Sequence, residues 1–359
     1  MEKKRRKEVT IGDVARRAGV SISTVSYVMN GQRRISEETH NKVIEIAKAL
    51  GYIPKNRKRA QELGLLSDTP RKVSKVLALS SPIHRYTDLT NYAIFFFALA
   101  QRARQYGYDI LLLMHESGDE ELKRVTRNGM VDGILLLDLL LSDSRVETAK
   151  QLSVPVVGVG YPINTANIWS VDLDFERMGR EAVDRAYSLG HREIAILGGI
   201  SFAYQDGSNY LVRFRDAAMK HADDLGVKVF YQELTGYSKA EINLALDQML
   251  TTEPTVSAII WQGSTSGAGM LMEILNERGL KVPQNISVLA ACTYGASRLP
   301  RPIDELPMDP NMTCNRAVDI MMEILDRKRN DVGNVELLKG NWQIAGTMAQ
   351  APGVRLGKK

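Results

Sequence analysis

The chain has 359 residues, 44% hydrophobic and 25% charged, which excludes a disordered or low-complexity chain and asks for two or three folding units. Apolar stretches such as 93–100 fall well short of the roughly 20 residues a membrane span needs. No apolar run follows the basic N-terminus as a secretion signal requires, and Cys292 and Cys314 alone make neither a disulfide framework nor a metal cluster. The expectation is a cytoplasmic protein with no membrane partner, no cofactor and no metal.

The net charge of +5 is unevenly divided. Residues 1–60 hold 15 Lys/Arg against 6 Asp/Glu, a net +9, while the rest of the chain carries a net −4. A compact basic head on a mildly acidic body points to a polyanionic partner. A solubilising lysine tail would explain residues 1–7, but not basic side chains spread through helical sequence as far as Arg59.

Chain order begins with three short helices. Thr10 is a suitable N-cap for a helix over 11–18, with Asp13 at its positive end and Ile11, Val14, Ala15 and Ala18 on one face. Gly19 frees the backbone for a sharp turn. Ser21 caps a second helix reaching Met29, which turns Val25, Val28 and Met29 inward and leaves Ser23, Thr24, Ser26 and Tyr27 outward. Asn30-Gly31 ends it. Ser36 opens a third helix with Glu37 and Glu38 in its first turn and Val43, Ile44, Ala47 and Leu50 as its buried stripe. Two helices about a glycine turn and a supporting third are the arrangement that sets a recognition helix in the major groove.

The string T-I-G-D-V-A-R-R-A-G-V-S-I-S-T-V-S-Y-V-M-N-G from Thr10 to Gly31, continued by I-S-E-E-T-H-N-K-V and by L-G-Y-I-P ending at Pro54, resembles the head of the lactose-repressor (LacI/GalR) family. The resemblance implies that Ile11 belongs to the DNA-facing head and that Ile22, Ser23 and Tyr27 face bases. It gives Thr10, Ser21, Ser26, Asn30, Arg34, Ser36 and Thr39 the backbone phosphates. Many members carry Arg where this chain has Tyr27, and a tyrosine cannot grip guanine O6 and N7 together.

Residues 55–72 read as a linker with latent helix. The resemblance implies a short helix formed on the operator, from which an apolar side chain wedges into the minor groove. Ala60 and Leu63 match best, although Leu63 lies two residues further from Pro54 than is usual. Which residue enters the groove stays open, as does a plain flexible linker.

From residue 73, short apolar runs alternate with amphipathic stretches. Strands are expected at 76–79, 109–113, 133–137 and 155–159, then at 194–197, 227–231, 256–261 and 286–291. Runs apolar on both faces are the signature of buried parallel strands, so the core reads as two doubly wound lobes. L-G-H-R-E-I-A-I-L-G-G from Leu189 and V-D-L-D-F-E-R-M-G-R-E-A-V from Val171 extend the resemblance to a periplasmic-binding-protein-like core. Its expected bounds are 73–170 with 299–330 for the first lobe and 171–298 with 331–350 for the second. The chain would then cross near 170–174, 293–298 and 330–335, with a helix at 310–329.

Ligands of such folds sit where strand C-terminal ends face the cleft. Those ends offer Tyr86, Asp88, Asp138, Tyr161, Trp169, Tyr210, Tyr237, Trp261, Ser264 and Thr293 as effector-binding residues. Sugar-binding relatives place Asn-Asp at Gly263-Ser264, an acidic pair at Cys292-Thr293 and arginine at Tyr210. Losing those charged groups suggests a site that stacks its ligand on Trp261 or Tyr237. The alternative is a polar site rebuilt from Asp88, Asp138 and Arg145.

No catalytic motif is present, and His191 reads as a helix-end cap rather than a base. The expected function is a dimeric repressor on palindromic operator DNA in the nucleoid, released by a small-molecule effector, with carbohydrate the leading class. A non-sugar metabolite or a protein corepressor is the alternative effector, and a solute-binding protein the alternative class.

Overall fold

The computed structural model describes residues 9–31, 35–50, 52–54, 59–60, 63, 65, 73–115, 119–165, 168–329 and 333–353, in two compact units, Met1–Val73 and Ser74–Lys359. Arg34 lies outside the described residues.

In the first unit, α1 (Ile11–Ala18) begins at Thr10. The Thr10 side chain accepts the Asp13 amide while Asp13 bonds back to the Thr10 backbone, closing a capping box. Gly19 ends the helix at φ 69°, a left-handed conformation that side chains avoid. α2 (Ile22–Asn30) is capped by Ser21, and Ser36 opens α3 (Glu37–Leu50) by accepting the Thr39 amide. Val14, Ala18, Val25, Val28, Met29, Val43 and Ala47 close one small core, with Leu50 and Leu63 packed at its edge.

The second unit alternates strands and helices. Its first half runs β1 (Val76–Ser80), α4 (Leu89–Gln105), β2 (Asp109–Leu113), α5 (Asp119–Arg127), β3 (Gly133–Leu136), α6 (Ser144–Ala149), β4 (Val156–Val159), β5 (Trp169–Leu173) and α7 (Phe175–Ser188). Next come β6 (Glu193–Ile200), α8 (Ser201–Gln205), α9 (Asn209–Asp224), β7 (Lys228–Leu234), α10 (Lys239–Thr252), β8 (Ala258–Trp261) and α11 (Thr265–Glu277). The last elements are β9 (Ser287–Thr293), β10 (Asp304–Pro307), α12 (Pro310–Leu325) and β11 (Val335–Leu338).

The strands form two parallel sheets, ordered β11-β5-β4-β3-β1-β2 and β10-β9-β8-β6-β7. Parallel strands need crossover helices, which cover both faces of each sheet, so each sheet has an apolar core on either side. All eight expected strands form. Three more, β5, β10 and β11, escape the apolar pattern because each carries charged residues whose partners lie far off in sequence: Asp172 with Arg213, Asp304 with the amides of residues 345–348, and Glu336 with Arg316.

These strands correct the expected lobe bounds. β10 pairs with β9, so residues 304–307 belong to the second sheet and that crossing falls between Pro307 and Pro310, not near 293–298. β11 pairs with β5, so residues 335–338 and 169–173 belong to the first sheet and the last crossing follows Leu338, not 330–335.

After that crossing the chain is pinned to the second lobe. The buried Asp304 carboxylate accepts the amides of Ala345 and Gly346 at 2.6 Å each, and those of Thr347 and Met348 at 3.3 Å each. His191, fully buried, bonds Ser257, Ser287 and the Ala349 carbonyl at 2.8, 3.1 and 3.0 Å. Its backbone N–H donates to the Ala186 carbonyl at 3.1 Å, the helix-end cap expected, while its side chain adds a tertiary staple, and burial holds its imidazole below the usual range.

Candidate functional site

Both sheets wind in the flavodoxin-like order, so the switch points lie between β1 and β3 in one lobe and between β6 and β8 in the other. The segments leaving those strands converge on a cavity with about 140 Å³ open to the centres of water molecules. Tyr86, Asp88 and Asp138 line it from the first lobe, and Tyr210, Tyr237 and Ser264 from the second. Tyr92, Phe95, Asp172, Phe175, Asn209, Asp309 and Thr313 line it as well, and strand-end reasoning missed all seven. They sit in the first two turns of helices or at a crossing, positions whose facing depends on how each helix rolls against its sheet.

Asp138 is the polar centre. It follows β3 in a left-handed conformation, φ 53°, rare for residues with side chains but tolerated by Asp. Its carboxylate accepts the Tyr92 hydroxyl and lies 3.9 Å from His84 Nε2. Burial pushes the Asp138 carboxyl up, against the opposing Tyr92 hydrogen bond and the charges of His84 and Arg145. Arg145 is no ligand group: its guanidinium is spent on Asp143 and on the carbonyls of Ser80, Leu137 and Asp138. It fixes the strand ends that aim Asp138. Tyr86, stacked on His84 at 5.1 Å, carries a buried hydroxyl without a hydrogen-bond partner among the described residues.

The second-lobe wall rests on Trp261. This residue is fully buried and does not line the cavity; its indole donates to the Ser264 carbonyl at 2.9 Å and backs Tyr237 at 5.9 Å between ring centres. The expectation that ligand stacks on Trp261 is thereby corrected, while Tyr237 faces the cavity. Ser264 caps α11, accepting the Gly267 amide at 3.0 Å. Cys292 lines the cavity in a left-handed conformation, φ 57°, its thiol pushed up by burial.

Three further expected residues lie outside the lining. Trp169 is buried in the first-lobe core under Arg329, 4.1 Å away, because β5 belongs to that sheet. Thr293 is buried and donates to Glu305 at 2.7 Å. Tyr161 donates to Glu176 at 3.1 Å and supports the Arg213 guanidinium 4.0 Å from its ring centre. Arg213 in turn bonds Asp172, Glu176 and Asn209. Burial raises the Asp172 carboxyl to about 6 despite that arginine, whereas at Glu176 the upward push of burial is outweighed by the Arg213 bonds.

In the head, Thr10, Ser21, Ile22, Ser23 and Asn30 are exposed, and Ile11, Ser26, Tyr27 and Thr39 are half-buried at its surface beside the exposed Ser36. Ala60 is fully buried, and Leu63 leans on the head core.

No group of residues able to hold a metal ion occurs among the described residues, and no helix among them is long and apolar enough to cross a membrane.

Residues 10–55 match the family "Bacterial regulatory proteins, lacI family", and residues 183–344 match "Periplasmic binding protein-like domain". Catabolite control protein A of Priestia megaterium is 29% identical over 306 residues, 82% of this chain and 85% of that protein. The same protein of Staphylococcus xylosus is 27% identical, over 79% and 82% of the two chains. A Lac repressor dimer bound to operator and the anti-inducer ONPF shares the fold at TM-score 0.64 and 24% identity, covering 96% of this chain and 100% of its own. A CelR–cellobiose complex does so at TM-score 0.63 and 21% identity, over 95% and 100%. The sequence relatives are regulators, not enzymes. With a lacI-type head and a periplasmic-binding-protein-like core on one chain, the protein belongs to the LacI family of DNA-binding transcriptional regulators.

Proposed function

We propose that the protein is a homodimeric repressor, acting in the cytoplasm at the nucleoid, that leaves a palindromic operator when an uncharged carbohydrate enters the cleft. The observation that carries the reading is the cavity lining. Tyr86, Tyr92, Tyr210 and Tyr237 supply ring faces and hydroxyls, Asp88 and Asp138 supply acceptors, and no Lys or Arg lines the cavity among the described residues. Ring faces suit a sugar's apolar side and carboxylates suit its hydroxyl donors, while the same lining repels a phosphate. The cellobiose complex of CelR, a protein of the same fold, is in keeping with this class. Acidic walls also suit an amine, so a cationic non-sugar metabolite is the second reading.

Dimerisation has its own support. Leu89 and Phe97, eight residues apart on one face of α4, are 62% and 67% exposed, an apolar stripe that association would cover. A dyad lets two α2 helices read a palindrome, and effector binding would act on the operator through residues 55–72, a coupling of typically ~1–3 kcal/mol.

The test is operator anisotropy, on a site selected from random duplexes, titrated with neutral saccharides, amines and sugar phosphates. A neutral saccharide should weaken binding by roughly 5- to 150-fold, and Asp138→Asn should abolish the response. A response confined to sugar phosphates would refute the reading of the cleft. Retained DNA binding after removal of residues 1–66 would refute that of the head.

A further inference from the structure

We propose that the first turn of α2 reads its half-site through the 5-methyl group of thymine, and that α2 makes no forked contact to guanine. This rests on the reading that α2 enters the major groove. The helix, I-S-T-V-S-Y-V-M-N, contains no charged side chain. Guanine is ordinarily gripped at O6 and N7 by the two-pronged donors of arginine or by lysine, and neither is available here. Val25, Val28 and Met29 are buried, which turns residues 22, 23, 26, 27 and 30 outward.

The polar groups near that face are largely engaged within the head. Ser21 Oγ and Thr24 Oγ1 bond each other at 2.8 Å, Ser21 Oγ also accepts the Thr24 amide at 3.1 Å, and Asn30 donates to Ser26 at 3.3 Å. Tyr27 offers one hydroxyl rather than a fork. What stands out is Ile22, the first residue of the helix, 56% exposed. The N-terminal residues of a recognition helix are those that meet base edges. The one feature of a major-groove edge that a branched alkyl side chain recognises is the thymine methyl. The exposed cations Arg16 and Arg17 lie at the end of α1, where they suit phosphates rather than bases.

The experiment selects a half-site from random duplexes with the full-length protein, then replaces each thymine by deoxyuridine, which deletes only the methyl group. At one or two adjacent thymines the wild-type protein should lose about fourfold in affinity, the share of one buried methyl. Ile22→Ala, which leaves the buried core untouched, should lose less than twofold at those positions. Uridine substitution that is silent throughout the half-site, or equally costly for Ile22→Ala, would overturn the inference. So would a selected guanine at which 7-deazaguanine and the O6-lacking 2-aminopurine each weaken wild-type binding, both losses vanishing in a Tyr27→Phe or an Asn30→Ala variant. A pool that yields no enriched site would overturn the operator reading itself and this inference with it.

Discussion

A β-carbon on Gly263 would lie 2.7 Å from Trp261 Cζ2, and one on Gly267 would lie 2.5 Å from the same atom. The tryptophan thus fills the space that side chains at both positions would need. A side chain at position 263 and the buried indole therefore exclude one another, and the glycine and the tryptophan are two sides of one packing solution. Gly263→Asn should destabilise the core by about 1–3 kcal/mol through overpacking. Combined with Trp261→Ala, its cost should be far less than additive in urea denaturation. Additivity would show that the two residues do not compete for space.

The bond from Tyr92 to Asp138 predicts a separable effect on ligand response. Asn tolerates the left-handed backbone at position 138 as Asp does, so Asp138→Asn should fold with little loss of stability while failing to release operator. Tyr92→Phe strips the carboxylate of its donor and should cost about 1–3 kcal/mol. Thermal denaturation alongside operator anisotropy separates the two outcomes.

Burial of Asp172 should give the core a pH dependence. Its carboxyl is raised from the ordinary 3.8 to about 6, so the native state holds the proton more tightly than the unfolded chain. Its contribution is complete below about pH 4 and is lost as pH rises through 6, a span worth on the order of 3 kcal/mol. The stability of wild type relative to Asp172→Asn should fall as pH rises across that window. A wild type that instead gained stability over Asp172→Asn with rising pH would show that Arg213 holds the carboxyl down.

Asp304→Ala removes the acceptor of four backbone amides in a buried site. A cost of roughly 3–5 kcal/mol follows from leaving such donors unpaired, and hydrogen exchange at residues 345–348 should accelerate selectively. Asp304→Asn should not rescue, because its amino group would meet donors with a donor. Uniform acceleration over the whole core would mean that Asp304 does not specifically hold this segment.

At the hinge, Leu63→Ala should weaken operator binding and spare random DNA, because a wedge acts only where the central step deforms. Since Leu63 packs on the head core here, entry into a groove requires it to leave that contact. Arg34→Ala should reduce the salt dependence of binding by about one counterion. Equal losses on both DNAs, or an unchanged salt slope, would remove each residue from its role.

What could be read from sequence followed the range of the forces involved. Caps such as Thr10 with Asp13 and stops such as Gly19 act within a turn, so the head was legible almost residue by residue. The apolar strands were legible too, whereas β5, β10 and β11 were hidden by charges whose partners only the folded chain supplies. In the cleft, Asp138 and Tyr237 follow from strand order. Tyr92 and Thr313 do not, since helix roll decides which first-turn side chain faces inward. Trp261 misled because an aromatic at a strand end reads as a ligand platform unless the glycines that accommodate it are weighed.

The matching strand order of the two sheets has an evolutionary reach. Each half of the binding region is furnished by connections leaving equivalent strands, and those connections contribute little to the β-sheet interior. Sequence drift there can exchange one inducer for another without disturbing the scaffold. Gly263 and Trp261 show how such a wall can be rebuilt locally, since both sit at the end of β8 and its connection while the strand keeps its place in the sheet.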